Sequence, residues 1–237
     1  MQNALAAFKF LVLGERFTSD QFNPERVGLG TLYFPLVGLV IGLVLAIFNR
    51  ILEPYLESEI LAVAIITILI VLTRATHLEG TRKTFDAFSA RTDLSSERTP
   101  PMSVYGFLAV LLIILFKIRS VEVIGETRNL SLLLTPTLAR WALVVFLYGS
   151  TSAADGSAQR ITENVKAWHL VFATAVTLGI TVFLVGPTGL WVALCLSLLA
   201  LLSRGYLHRR GDGLNCNHFG ALIEASETLS FVLFACL

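Results

Sequence analysis

The length and number of its apolar runs limit this chain more than any other feature. A bilayer with a hydrocarbon core of about 30 Å needs about 17–25 mostly apolar residues per helical span. Candidate runs fall at Thr31–Phe48, Ile60–Thr73, Val104–Lys117, Leu130–Gly149, Trp168–Val185, Leu190–Leu202 and Ala221–Leu237. The shorter ones must borrow residues from their flanks, thin the bilayer locally or form broken helices, so six or seven spans are expected. Composition points the same way: 55% of the 237 residues are hydrophobic and 15% charged, against about 45–50% and 25% in soluble domains. Backbone groups inside lipid must be satisfied within the segment, which favours helices. The expected fold is therefore all-α, a polytopic integral membrane helical bundle forming one domain over residues 1–237. No part outside the membrane is large enough to suggest nucleic-acid binding.

Lysine and arginine set the orientation. With seven spans, thirteen of these residues fall in alternate loops on one side and four, Arg50, Lys117, Arg119 and Arg128, on the other. The positive-inside rule assigns the richer side to the cytoplasm, and with it the polar loops Thr76–Ser103, Ser150–Ala167 and Ser203–Gly220. Residues 1–30 read either as an amphipathic interfacial helix, with Leu5, Phe8, Leu11 and Val12 along one side, or as a first helix packed on the bundle. Lys9 interrupts the run and argues against a secretory signal. Cys195, Cys216 and Cys236 have no paired spacing, so neither a disulfide framework nor a zinc site is suggested.

The stretch THLEGTRKTFDAFSA, Thr76–Ala90, places charge directly after an apolar run. On a helix, Glu79 and Asp86 stand two turns apart on one face. Paired carboxylates of this kind suit a divalent cation held against a diphosphate, although a solvated face carries the same pattern. Lys83, on that face between them, is placed to pair with either acid.

His77-Leu78-Glu79-Gly80 followed by Asp86 resembles the H-L-D-G-L-A-D-T-A-D-G signature of the adenosylcobinamide-GDP ribazoletransferases, the cobalamin synthases. The likeness continues along the chain. LYFPLVGLVIGLV (Leu32–Val44) is similar to that family's first membrane helix with its glycine pair, and VYGFLAVLLIILFK (Val104–Lys117) to its T-F-G-V-L-A segment. Arg140-Trp141-Ala142 is similar to S-R-W-A, and Phe219–Glu224 to the G-D-V-L-G-A-x-x-E ending.

The resemblance implies a membrane phosphotransferase of a bacterial or archaeal cytoplasmic (inner) membrane, with its site facing the cytoplasm in residues 74–103. There the 5′-hydroxyl of α-ribazole or its phosphate attacks adenosylcobinamide-GDP, GMP leaves, and Mg2+ is required. Implied site residues are His77, Glu79, Lys83 and Asp86 for catalysis, Glu79 and Asp86 for the metal, and Arg74, Arg82, Arg140, Asn217 and Glu224 for substrate. Arg74, Arg82 and Arg91 serve either phosphates or membrane topology. A homo-oligomer is compatible with such a bundle.

This sequence departs from the pattern in its polar stretches. Glu79 replaces an Asp, Lys83 replaces the second Asp, and Ala87 replaces a Gly. Thr99–Met102 stand where an acid and an arginine are usual, Ser152–Ala158 keep little of an A-R-x-x-G-L-G turn, and Asn215-Cys216-Asn217 replace T-G-D. Two expectations follow: a working transferase in which Lys83 neutralises phosphate in place of an ion, or a fold that has lost catalysis because Lys83 pairs with Glu79 and Asp86. A transporter is a third reading, resting on Arg140 inside a span, which otherwise lines a cavity or pairs with Glu224 or Glu227.

Overall fold

The computed structural model describes residues 2–14, 22–90, 103–151, 156–210 and 213–237. Eleven α-helices follow one another there: α1 (Gln2–Phe8), α2 (Pro24–Leu29), α3 (Phe34–Leu52), α4 (Ser58–Leu72), α5 (Thr76–Ala90), α6 (Val104–Val123), α7 (Arg128–Leu147), α8 (Ser157–Glu163), α9 (Ala167–Val185), α10 (Pro187–Arg210) and α11 (Cys216–Cys236). A π-type turn, Lys9–Leu13, continues α1, and a 3-10 turn, Thr31–Tyr33, leads into α3. Among the described residues six helices are long and apolar enough to cross a membrane: α3 with its leading turn, α6, α7, α9, α10 and α11. The pair α4 and α5 passes the same test as one span, broken by an 85° bend. Side chains such as Leu112, Phe116, Phe183 and Leu202 are exposed on the outer faces; an apolar surface of this extent belongs against lipid. The chain is an integral membrane protein built as an all-helical bundle.

Helix α7 is the central post, with 83% of its spanning window enclosed, against 22% in α6 and α9. It packs on α3, α11, α10 and α9. The α3 contact is a backbone-to-backbone crossing: a Cβ on Gly38 would lie 2.3 Å from the Pro136 carbonyl oxygen, and one on Gly42 the same distance from that of Leu133. A small-xxx-small pair lets two helices approach this closely inside lipid, where hydrophobic burial gives helix association no driving force. Trp141 Nε1 donates to Thr174 Oγ1 of α9 at 3.0 Å, and Asn49 Nδ2 to Asn129 Oδ1 at 3.0 Å ties α3 to the start of α7.

The bend between α4 and α5 has a local cause. Arg74 and Ala75 both take left-handed backbone conformations, φ 51° and 54°, which cost non-glycine residues roughly 1–2 kcal/mol each. The N-terminal segment holds this joint. His77 donates from Nε2 to the Leu11 carbonyl at 3.1 Å, Arg74 Nη1 to the Leu13 carbonyl at 3.3 Å, and Thr76 Oγ1 to the Thr73 carbonyl at 2.9 Å. Leu11 and Val12 are buried while Leu5 is exposed, so the segment that binds the joint also packs into the bundle.

Candidate active site

Helix α5 carries the charged stretch and packs between α11 and α6. Residues 76–90, expected within a cytoplasmic loop or helix, form helix α5, bent by 85° from α4 in a pair that suits either a broken span or a re-entrant loop. Residues 91–102 of that region, including Arg91 and Thr99–Met102, lie outside the described residues, as do Ser152–Asp155 of the later polar turn.

The charges on α5 pair within the helix. Lys83 Nζ meets Glu79 Oε1 at 2.8 Å, one turn away and with Glu79 54% exposed. Asp86 is fully enclosed; Arg82 donates to its Oδ2, and Ser103 donates to its Oδ1 from both the backbone nitrogen (2.9 Å) and the hydroxyl (2.5 Å). The expectation that Lys83 neutralises both acids is therefore corrected: Arg82, not Lys83, is the partner of Asp86. The reason is helical spacing, since both pairs are separated by four residues and each joins an acid to the cation on the adjacent turn.

Asp86 also has a second task. Ser103 is the N-cap of α6, its hydroxyl accepting from Gly106 N at 3.2 Å. An anion at this point satisfies orphan amides and the positive end of the helix dipole. The fit leaves no space to spare, because a Cβ on Gly106 would lie 2.1 Å from Asp86 Oδ1.

A resident magnesium ion does not fit Glu79 and Asp86 as they stand. The two acids are about 10 Å apart along the helix, at 1.5 Å per residue. Asp86 already accepts three hydrogen bonds of the roughly four a carboxylate can take. Among the described residues no group of three His, Cys, Asp or Glu side chains is placed to hold a metal.

The remaining predicted residues divide between two places. Arg74 is exposed at the α4–α5 joint, and Asn217 lies in the first turn of α11, its backbone N–H donating to Asn215 Oδ1 at 3.0 Å. Arg140 and Glu224 meet deep in the bundle, in a cluster whose other members are Lys117 and Glu227. Lys117 Nζ reaches Glu224 Oε2 at 2.6 Å and Glu227 Oε2 at 2.5 Å, and Arg140 pairs with Glu227 Oε1. All four side chains are buried. Lys117 is thus not a loop charge on the outer side, as the run boundaries suggested; α6 continues past it to Val123 and turns it inward. Its signal was present in the sequence: a cation in an apolar run requires a partner, and Glu224 and Glu227 are the acids of the last run. Arg140 pairs with Glu227 through Nη1, one of the two readings the sequence offered for it, while its Nε and Nη2 are buried without a hydrogen-bond partner among the described residues.

The cobalamin-5-phosphate synthase family model matches residues 4–235. The adenosylcobinamide-GDP ribazoletransferase of Syntrophobacter fumaroxidans is 33% identical, covering 98% of this chain and 97% of that protein. Those of Pseudomonas paraeruginosa and Geotalea daltonii are 30% and 26% identical, covering 99% and 94% of this chain and 98% and 92% of their own lengths. No solved structure matches. With residues 4–235 matched by the family model and a relative 33% identical along nearly its full length, the chain belongs to the cobalamin-5-phosphate synthase family.

Proposed function

We propose that this chain is a membrane phosphotransferase that joins adenosylcobinamide-GDP to α-ribazole or its 5′-phosphate. A ribose hydroxyl that is free in both α-ribazole and its 5′-phosphate forms a new bond to the phosphorus attached to cobinamide, the bond from that phosphorus to GMP breaks, and the hydroxyl proton is given up. The observation that carries this reading is the match over residues 4–235, supported by relatives of that activity along the whole chain.

Phosphoryl transfer depends chiefly on positioning and on neutralising anionic charge. The cations of α5 suit the second task. Arg82 and Lys83 are each partly exposed, at 23%, and each is held by a carboxylate one turn away, so both are pre-oriented for a diphosphate. Asp86 acts here as a positioning residue, fixing Arg82 and the start of α6. Magnesium enters the proposal as the counter-ion of the substrate diphosphate rather than as a resident ion. The excess of lysine and arginine on one side of the bundle supports a site on the cytoplasmic face of the inner membrane.

Purified protein supplied with adenosylcobinamide-GDP, α-ribazole and magnesium should release GMP. Failure to do so, under conditions where the Syntrophobacter fumaroxidans relative turns over, would refute the reading and favour a fold kept without catalysis.

A further inference from the structure

A groove of about 420 Å³ runs between α5, α10 and α11, walled by Phe85, Phe88, Leu202, Tyr206, Leu222 and His218 among others. Its volume lies within the roughly 300–1,000 Å³ of small-molecule sites, which are mostly apolar with a few placed polar groups. The aromatic wall is held in place. Phe88 meets Phe85 and Tyr206 edge-on, each pair with centroids 5.9 Å apart, and the Arg210 guanidinium lies 5.2 Å from the centre of Phe88.

A lipid chain would suit that wall but would leave one group unanswered. His218 is 3% exposed, and its Nδ1 accepts the backbone N–H of Asn215 at 3.1 Å. A ring nitrogen that accepts from an amide carries no proton, so the proton of the neutral imidazole is on Nε2. Nε2 is buried without a hydrogen-bond partner among the described residues. Buried donors are almost always paired in native structures, and leaving one unpaired is unfavourable. The groove therefore presents an aromatic slot whose wall holds one unanswered donor.

We infer that this groove receives the bicyclic aromatic base of ribazole, with His218 Nε2–H donating to the base's free ring nitrogen. The inference rests on the transferase reading above. A benzimidazole attached to ribose through one nitrogen is flat and apolar, and it has one ring nitrogen left with an in-plane lone pair. Those properties match the wall and its donor. Thr84 and Phe88 face the groove from the side of α5 opposite Asp86, so one helix carries base recognition on one side and the ion-paired face on the other.

The test compares GMP release with α-ribazole and with the same riboside in which the free ring nitrogen is replaced by C–H. That nitrogen takes no part in phosphoryl transfer, so a difference reports binding. The wild-type protein should show a KM about tenfold higher for the carbon analogue, the factor expected of one hydrogen bond to a buried donor, with kcat unchanged. His218→Asn keeps an oxygen where Nδ1 caps α11 but has no donor at the Nε2 position; it should lose the preference. His218→Gln places an amide nitrogen near Nε2 and should retain it. Equal KM values in the wild type, or a preference that survives in His218→Asn, would overturn the inference while leaving the transferase reading intact. A KM that rises with added phospholipid in all three proteins, with no preference for the ring nitrogen, would assign the groove to an acyl chain and overturn it too. No GMP release with either riboside would refute the transferase reading and the inference together.

Discussion

Removing Lys117 and Glu224 together should cost less stability than removing either alone. The cluster holds two cations and two carboxylates, with Lys117 between Glu224 (2.6 Å) and Glu227 (2.5 Å), and Arg140 on Glu227. Glu224 and Glu227 lie eight and eleven residues into α11, about 12 and 16 Å along its axis, too deep for water to replace a lost partner. Lys117→Met leaves Glu224 buried without its cation, and Glu224→Leu leaves an excess positive charge. Each should cost about 3–5 kcal/mol, the usual penalty for one uncompensated buried ion. For a chain of this size each kcal/mol lowers Tm by about 2–4 °C, so each single variant should melt about 6–20 °C lower. The double variant removes a neutral pair and leaves Arg140 on Glu227. Replacing a buried pair by apolar groups is often neutral or stabilising, so its Tm should lie closer to the wild type than that of either single variant. Thermal unfolding in detergent, followed by near-ultraviolet circular dichroism, measures all four proteins. If the loss in the double variant equals the sum of the single losses, the four charges do not act as one balanced unit and the reasoning fails.

Other outcomes follow from particular contacts. Gly42→Ala should abolish stable expression, since its Cβ would meet a carbonyl of α7 at 2.3 Å, whereas Gly179→Ala, with nothing within 4 Å of the added carbon, should fold normally; similar yields for both would discount the close crossing. Asp86→Ala removes the acceptor of Arg82 and of the α6 cap and should cost about 1–3 kcal/mol, read as a fall in Tm of about 2–12 °C; an unchanged Tm would confine Asp86 to chemistry. Lys83→Asp should leave Tm nearly unchanged, because the Glu79–Lys83 pair is partly exposed and such pairs contribute little. Its GMP release should fall, because the change removes one of the two cations oriented for the diphosphate and adds an anion beside Glu79; release kept or raised with folding intact would show that Lys83 does not serve the phosphates.

Sequence reading succeeded where the signal is carried by composition and period. Apolar runs imposed helices and a membrane, and the α4–α5 pair that completes the seventh candidate span was visible as a short run followed by charge. The 85° joint was not visible, because Arg74 and Ala75 are residues that rarely accept left-handed conformations; hydrogen bonds from His77 and Arg74 to the carbonyls of Leu11 and Leu13, some sixty residues earlier, join the local ones that hold the bend. The spacing of Glu79, Lys83 and Asp86 was legible, but their pairing was not. Arg82 had the same four-residue relation to Asp86 that Lys83 had to Glu79, and Ser103 reached Asp86 from a different helix.

By itself the sequence determined the class of fold, its family, the glycine pair of α3 and the helix that carries the charged motif, because each depends on neighbours within a few turns. Only the tertiary structure decided that Lys117 points inward to Glu224 and Glu227, that Asp86 caps α6, and that His218 joins the wall of an aromatic groove. Those outcomes depend on how helices more than a hundred residues apart, or separated by a turn whose geometry is local, are rotated against one another. Helical period names the residues on a face, and packing alone selects what that face meets.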